Sequence, residues 1–296
     1  MFEAITNKHQ NLSLALGFFD GVHLGHREVI LNAVNIAKSN NTQSAVITFN
    51  QHPAEIFGQN IKYISTLKTR NELIYSLGVD YIFSLDFNKK LAEINCDEYL
   101  ANLVKYFKPI AITTGFNHTF GKAKCGTPKF LYDNQEKYGF KYYEIPQVLI
   151  KNKIVSSSEI RQYLSSGDII TANKMLADEF SFSGTVIKGQ QLGRKLGYPT
   201  TNVIYPEELI KIPYGVYCVD IIINEKKYSG MMNFGVKPTI DAGNKKPIAE
   251  THIFNFNSDI YDENIKIIIK KMIRKEQRFQ TLEDLKIQIE KDIQSC

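Results

Sequence analysis

Gly17-Phe-Phe-Asp-Gly-Val-His-Leu-Gly-His26 decides how the first half of this chain is read. Residues 12–17 before it form a short apolar run, the pattern of a buried strand. After it, Val29, Ile30, Ala33, Val34 and Ala37 recur at helical spacing. A glycine-rich turn from strand to helix is where open parallel sheets bind ligands. Glycine lets the backbone approach a phosphate, and a helix N-terminus offers amide donors and the positive end of its dipole. His23 and His26 lie three residues apart, so on one helical turn both imidazoles face the same way. There they can donate hydrogen bonds to charge developing on a phosphate and its leaving group. A zinc site is the other use of such a pair, but it needs further ligands at fitting spacing, and none stands nearby.

Outward from this segment, residues 45–49, 81–85, 110–114 and 141–145 are strand-like, and residues 98–107 read as a helix. Strands alternating with helices predict a parallel sheet covered on both faces, a Rossmann-like α/β domain. Near residue 180 the rhythm changes. Residues 180–187, 216–223, 227–233, 250–256 and 265–272 are strand-like without intervening helices, and only the tail, 281–293, is helical. That pattern predicts an antiparallel sheet or barrel closed by a terminal helix. The expected domains are therefore 1–178 and 179–296, with the boundary at Asp178–Glu179.

The chain's 296 residues suffice for two domains, and 43% hydrophobic with 23% charged residues is a globular composition. A formal charge of 36 − 31 = +5, with no concentrated basic run, suits phosphorylated small molecules as well as it suits an ordinary protein. It does not favour nucleic acid as a partner. Cys96, Cys125, Cys218 and Cys296 form no Cys-x-x-Cys pair, so neither a zinc site nor a disulfide framework is expected, and a cytoplasmic location is. Residues 1–10 lack the order of a signal peptide, and no apolar run approaches the ~20 residues that span a bilayer.

The His23–His26 segment resembles the His-x-Gly-His motif of the nucleotidyltransferase superfamily. Thr48-Phe-Asn-Gln-His-Pro53 and Gly115-Phe-Asn-His-Thr-Phe-Gly-Lys122 resemble segments of its flavin branch, and Val155-Ser-Ser-Ser-Glu-Ile-Arg161 resembles the motif that closes its ATP site. Each segment also has chemical sense by itself. The Asn117 amide can contact a phosphate or nucleotide. Ser156, Ser157 and Ser158 can cap the next helix while presenting hydroxyls, and taken alone such a run is more often a simple N-cap than a phosphate site. Arg161 offers a bidentate fork to phosphate oxygens, or it is a solvated helix residue. His52 and His118 read as structural or peripheral. Gln51 replaces the usual proline, and Ser158 replaces threonine while keeping the hydroxyl.

In the second half, Gly184-Thr-Val-Ile-Lys-Gly-Gln-Gln-Leu-Gly-Arg-Lys-Leu-Gly-Tyr-Pro-Thr-Thr-Asn202 lacks a Walker pattern, and taken alone its glycines read as β-turns. It is very similar to the riboflavin kinase hallmark, a Gly-rich ATP loop followed by Pro-Thr-Ala-Asn. Tyr214-Gly-Val-Tyr217, Asn233-Phe-Gly-Val-Lys-Pro-Thr239, Glu250-Thr-His-Ile-Phe254 and Ile273-Arg-Lys-Glu-Gln-Arg-Phe279 follow in that family's order. Leu192 stands at a place that is often basic, and Tyr261-Asp262 stands where Tyr-Gly is common.

Together, from about Leu14 to Asp292, the chain is similar to bifunctional riboflavin kinase/FAD synthetases of bacterial type. The resemblance implies phosphorylation of riboflavin by ATP in a C-terminal β-barrel, then adenylylation of FMN in an N-terminal nucleotidyltransferase domain. It implies ATP as co-substrate and Mg²⁺ held by the oxygens of Thr200 and Asn202. Glu250 would be the kinase base, and His23, His26 and Arg161 would act in adenylyl transfer. Gly17, Phe18, Gly25, Asn117, Ser157 and Ser158 would bind ATP or phosphate in the first domain, and Gly189 and Gly193 in the second. Arg274, Glu276 and Phe279 would lie on the flavin side, although Phe279 serves equally as core. Expected partners are riboflavin, FMN, FAD and ATP, with neither nucleic acid nor membrane, and a weak homo-oligomer stays open. Two other readings are a flavin-binding regulator that has lost turnover, and a transferase acting on another phosphorylated acceptor.

Overall fold

The computed structural model describes residues 10–189, 193, 197–236 and 246–296. Leu192 and its neighbours in the Gly-rich loop, residues 237–239 of the Asn233 segment, and residues 1–9 lie outside the described residues. The chain divides into two compact units. The first runs through Ile61 and resumes over Leu67–Ser157; the second comprises Lys62–Thr66 and Ser158–Cys296.

In the first unit, strands β1 (Ser13–Leu16), β2 (Ser44–Phe49), β3 (Tyr81–Leu85), β4 (Ala111–Gly115) and β5 (Lys141–Ile145) form a sheet in the order β3-β2-β1-β4-β5. Every pairing in it is parallel. Because strand side chains alternate, neighbouring residues serve opposite faces. Leu14 and Leu16 pack with Leu100, Leu103, Phe107 and Leu131, while Ala15 packs with Val29, Ile30, Ala33 and Val34. Helix α1 (Leu24–Ser39) therefore covers one face, with Ile74 of α2 (Leu67–Ser76) in the same cluster. Helices α4 (Cys96–Phe107) and α5 (Pro128–Tyr138) cover the other, after the short α3 (Lys89–Glu93). The strand order reverses between β1 and β4, and the carboxyl ends of those two strands carry the glycine-rich segments that begin at Gly17 and Gly115.

In the second unit, β8 (Ser181–Ile187), β9 (Thr200–Ile204), β10 (Gly215–Ile223), β11 (Lys226–Gly235), β12 (Ile248–Ile253) and β13 (Asn264–Lys275) close into a barrel in the order β10-β11-β12-β9-β8-β13. A small β6–β7 hairpin (Leu149–Ile150, Lys153–Ile154) precedes it in sequence. Closure leaves no open edge. The interior takes Phe182, Val203, Met232, Phe234, Ala249 and Ile267, all fully buried. Helices α6 (Ser157–Ser166) and α7 (Ile169–Met175) precede the barrel. The Asn173 amide donates to the Ile269 carbonyl and accepts from the Phe180 amide, which ties α7 to β13 and the start of β8. By packing, residues 158–178 group with the barrel, as do Lys62–Thr66.

Helix α8 (Leu282–Gln294) ends the chain. The Thr281 hydroxyl accepts from the Asp284 amide as its N-cap. The expectation from cysteine spacing is corrected here. Cys218 on β10 and Cys296 beyond α8 form a disulfide with Cα atoms 5.3 Å apart. They are 78 residues apart in sequence, and only the closed barrel with its returning helix brings them together. The turn at Tyr261-Asp262 keeps a left-handed residue, since Asp262 has φ 64°. Asp tolerates this conformation better than most side chains, so it fills the place of the common glycine.

Candidate active sites

The first site is built on a backbone held in uncommon conformations. Phe19 has φ 60°, Gly21 φ 73° and Val22 φ 39°, and the last is costly for a β-branched residue. Such strain persists only where surroundings enforce it. The buried Phe19 ring fills the space over Gly17, where a Cβ would come within 2.7 Å of it, so only glycine fits. The same ring meets the His26 ring edge-on at 5.3 Å between centroids.

His23 is not in the first turn of the helix but is its N-cap, with extended backbone. Its Nδ1 accepts from the His26 amide at 3.2 Å, which satisfies one orphan donor of α1. An Nδ1 that accepts leaves the His23 proton on Nε2, the outer nitrogen. The two imidazoles stack, with centroids 3.5 Å apart and planes 17° from parallel. Gly25 lies against the His23 ring. The sequence spacing is thus realised as a stacked pair at the positive end of a 16-residue helix.

The Ser157 hydroxyl donates to the Asp20 carbonyl at 3.3 Å, and Ser158, in the second unit, is exposed. Asn117 is exposed in the turn after β4, its Oδ1 close to Gly115. Its neighbour His118 is held neutral, because burial pulls its imidazole down to about 4. His52 caps the 3₁₀ turn Pro53–Phe57 and meets the Phe18 ring edge-on, a structural role. Arg161, described with the second unit, donates from Nε to the Lys62 carbonyl at 2.8 Å.

The second site lies on the outer faces of β9 and β12. Burial alternates along β12, so Glu250 and His252 point away from the fully buried Thr251 and the buried Ile253. Glu250 pairs with Asn202 across the strands, and His252 with Thr200. The Thr200 hydroxyl donates to Glu250 Oε1 at 2.9 Å. The His252 ring bonds the Pro199 carbonyl through Nδ1 at 2.8 Å; a carbonyl only accepts, so Nδ1 carries the proton. Gly189 and Gly193 lie close against these groups. A Cβ at Gly189 would collide with the Asn202 amide, and one at Gly193 would lie 3.3 Å from Thr200 Oγ1. Thr200 and Asn202 thus offer hard oxygen donors with the backbone of Gly189 and Gly193 beside them, a donor set that fits Mg²⁺.

Beside them a cleft is lined by Asn233, Gly235, Val236, Ile248, Glu250 and Glu276. The Glu276 carboxylate lies against Gly235, where no Cβ could be accommodated. Glu276 therefore shares a cleft with Glu250, while Arg274 is engaged elsewhere. Its Nε and Nη2 donate to Asp292 of α8 at 2.8–3.1 Å, and its guanidinium covers the Phe279 ring at 5.6 Å. The Asp292 side chain is 2% exposed and also accepts from Gln288. Removing one member of such a buried pair costs about 3–5 kcal/mol. Asp292→Ala is expected to lower the melting temperature accordingly, and a wild-type thermal transition would show the pair to be dispensable. Asp292 carried no sequence signal of its own, since it becomes visible only when its neighbours are placed.

Comparison with known proteins matches these units in order. The family model described as FAD synthetase matches residues 5–159, and the one described as riboflavin kinase matches residues 176–296. A bifunctional riboflavin kinase/FMN adenylyltransferase from Buchnera aphidicola subsp. Schizaphis graminum is 36% identical over 97% of this chain and 93% of its own length. Proteins of the same name from Bacillus subtilis and Escherichia coli K12 are 35% and 31% identical over 96% and 94% of this chain and 90% of each relative. A crystal structure from Streptococcus pneumoniae, named as a macrolide-efflux protein, superposes with a TM-score of 0.90 at 28% identity, covering 99% of this chain and 95% of that one. Among the described residues no helix is long and apolar enough to cross a membrane. Both family regions follow one another on a chain that aligns with these relatives almost from end to end, and it therefore belongs to the bifunctional riboflavin kinase/FMN adenylyltransferases.

Proposed function

We propose that the two sites divide the family's two reactions as follows. Riboflavin is phosphorylated at the barrel site, and the resulting FMN is adenylylated at the stacked histidines, with one ATP consumed in each step. Supporting this division is the presence, on one chain, of an oxygen-rich strand site around Glu250 and an imidazole site at a helix N-terminus. The domains assigned to these reactions are 1–178 for adenylylation and 179–296 for the kinase.

In the kinase step, Glu250 accepts the proton of the ribityl 5′-hydroxyl as that oxygen attacks the γ-phosphorus and ADP leaves. The Thr200 hydroxyl orients the carboxylate. Thr200 and Asn202 would hold Mg²⁺, which supplies neutralisation of charge on the phosphate oxygens. Backbone at Gly189 and Gly193 lies over the nucleotide phosphates, and Glu276 with the Arg274–Phe279 segment borders the flavin. In the adenylyl step, an FMN phosphate oxygen attacks the α-phosphorus of ATP and pyrophosphate departs. His23 Nε2–H and His26 stabilise the charge that develops, aided by the α1 N-terminus. Gly17, Phe18, Gly25, Asn117, Ser157 and Ser158 contact the nucleotide and its phosphates, and Arg161 binds the leaving pyrophosphate. The enzyme is proposed to act in the cytoplasm on free small molecules, without nucleic acid and as a monomer or weak oligomer.

The test is a time course with riboflavin, ATP and Mg²⁺ in which riboflavin, FMN and FAD are separated by chromatography. FMN rising before FAD is expected. FMN without FAD would overturn the histidine-site assignment, and flavin binding without any nucleotide product would overturn both.

A further inference from the structure

Arg70 is the only buried lysine or arginine among the described residues, 3% exposed, and no part of the proposed chemistry uses it. It projects from α2 to the carboxyl ends of β1 and β2. Nη1 donates to the Phe18 carbonyl at 3.2 Å, and Nη2 donates to the Phe49 carbonyl at 2.6 Å. Its guanidinium also lies over the Phe18 ring, 4.6 Å from the centroid. The Phe18 carbonyl accepts a second bond, from the fully buried Thr48 hydroxyl at 3.1 Å. A buried guanidinium is costly, and one planar fork that spans two carbonyls while stacking on a ring is an arrangement lysine cannot copy.

Phe18 is the residue at which β1 gives way to the turn through Phe19, Gly21 and Val22, all at positive φ, that delivers His23 to the head of α1. That turn needs outside support to keep its conformation. Phe19 receives it from the core, and Phe18 receives it from Arg70 and Thr48. We propose that Arg70 is a positioning residue for adenylyl transfer: it clamps the β1 and β2 ends and so fixes the turn that sets the His23–His26 pair. It touches neither reactant in this role. A misplacement of about 1 Å at a reacting centre costs roughly a hundredfold in rate.

This inference rests on the adenylylation reading of the histidine site, and the full-length enzyme tests the two separately. Steady-state FMN adenylylation and riboflavin phosphorylation are measured on wild type, Arg70→Lys and Thr48→Val, each with its melting temperature. For Arg70→Lys we expect kcat for FAD formation to fall about a hundredfold. KM for FMN and ATP should stay within about threefold, and the kinase rate within about twofold, as for a loss confined to the transition state. Thr48→Val, which removes one of the two donors and no charge, should lower the same kcat about tenfold. It decides the matter if Arg70→Lys does not fold. Wild-type kcat in whichever variant folds overturns the proposal. So does a parallel fall of both activities with the melting temperature, which would make Arg70 a residue of general stability. A wild-type enzyme that forms no FAD from FMN would instead overturn the underlying site assignment.

Discussion

Glu250→Gln is expected to lower FMN formation from riboflavin by about 10²–10⁴-fold, the range of a positioned general base, while FMN-to-FAD conversion stays near wild type. Glutamine keeps the shape of the side chain and an oxygen that can accept the 2.9 Å bond from Thr200, so the β9–β12 pairing and the Thr200 rotamer are retained. What is lost is the ability to take a proton. The substitution therefore separates the chemical role from the structural one better than alanine, which would leave Thr200 without its acceptor. Glu276 provides the internal competitor, because it lines the same cleft. If Glu250→Gln keeps more than a tenth of the kinase rate and Glu276→Gln does not, the base has been assigned to the wrong carboxylate. The adenylylation rate of the same preparation reports on folding, so a parallel loss of both activities would also count against a specific role.

Much of this site was legible because its residues obey strand periodicity. A period of two places Glu250 and His252 opposite Thr251 and Ile253, and β12 does so. The strand β9 was not singled out, because Pro-Thr-Thr-Asn after a Gly-rich stretch reads as turn. The pairing of Thr200 through Ile204 with β12 overrides that local preference. In the first unit the apolar runs of β1, β2 and β4 and the stripe of α1 stood out because their residues are buried. Helices α2, α5 and α7 did not, since each buries only a few side chains and carries mixed polar residues. The His23–His26 spacing announced the site but not its form: His23 caps the helix rather than joining it, and the rings stack. Arg70 and Asp292 look like ordinary charged helix residues, and only the tertiary fold shows that each is buried against a specific partner. The Cys218–Cys296 bond was hidden for the same reason, since pairing over 78 residues leaves no local spacing to read.

For the adenylylation site the informative substitution follows from the capping geometry. His23→Asn replaces the imidazole by a side chain that caps helices well, so the His26 amide keeps an acceptor and α1 keeps its start. His26→Gln removes the second ring from within α1, where glutamine is a good helix former. Each is expected to reduce FAD formation from FMN by about 10²–10³-fold, the usual cost of one lost donor to developing charge. Riboflavin phosphorylation should remain within about twofold. The double variant should cost less than the product of the two single losses, because rings stacked at 3.5 Å share one environment and removing either displaces the other. His23→Ala offers the contrast, because it loses imidazole and cap together. Its melting temperature should fall by the equivalent of about 1 kcal/mol, whereas His23→Asn should melt like wild type. If His23→Asn restores FAD formation relative to His23→Ala, the residue serves as a cap and not in catalysis. If the two variants are equally inactive and differ only in stability, the imidazole itself is what the reaction requires.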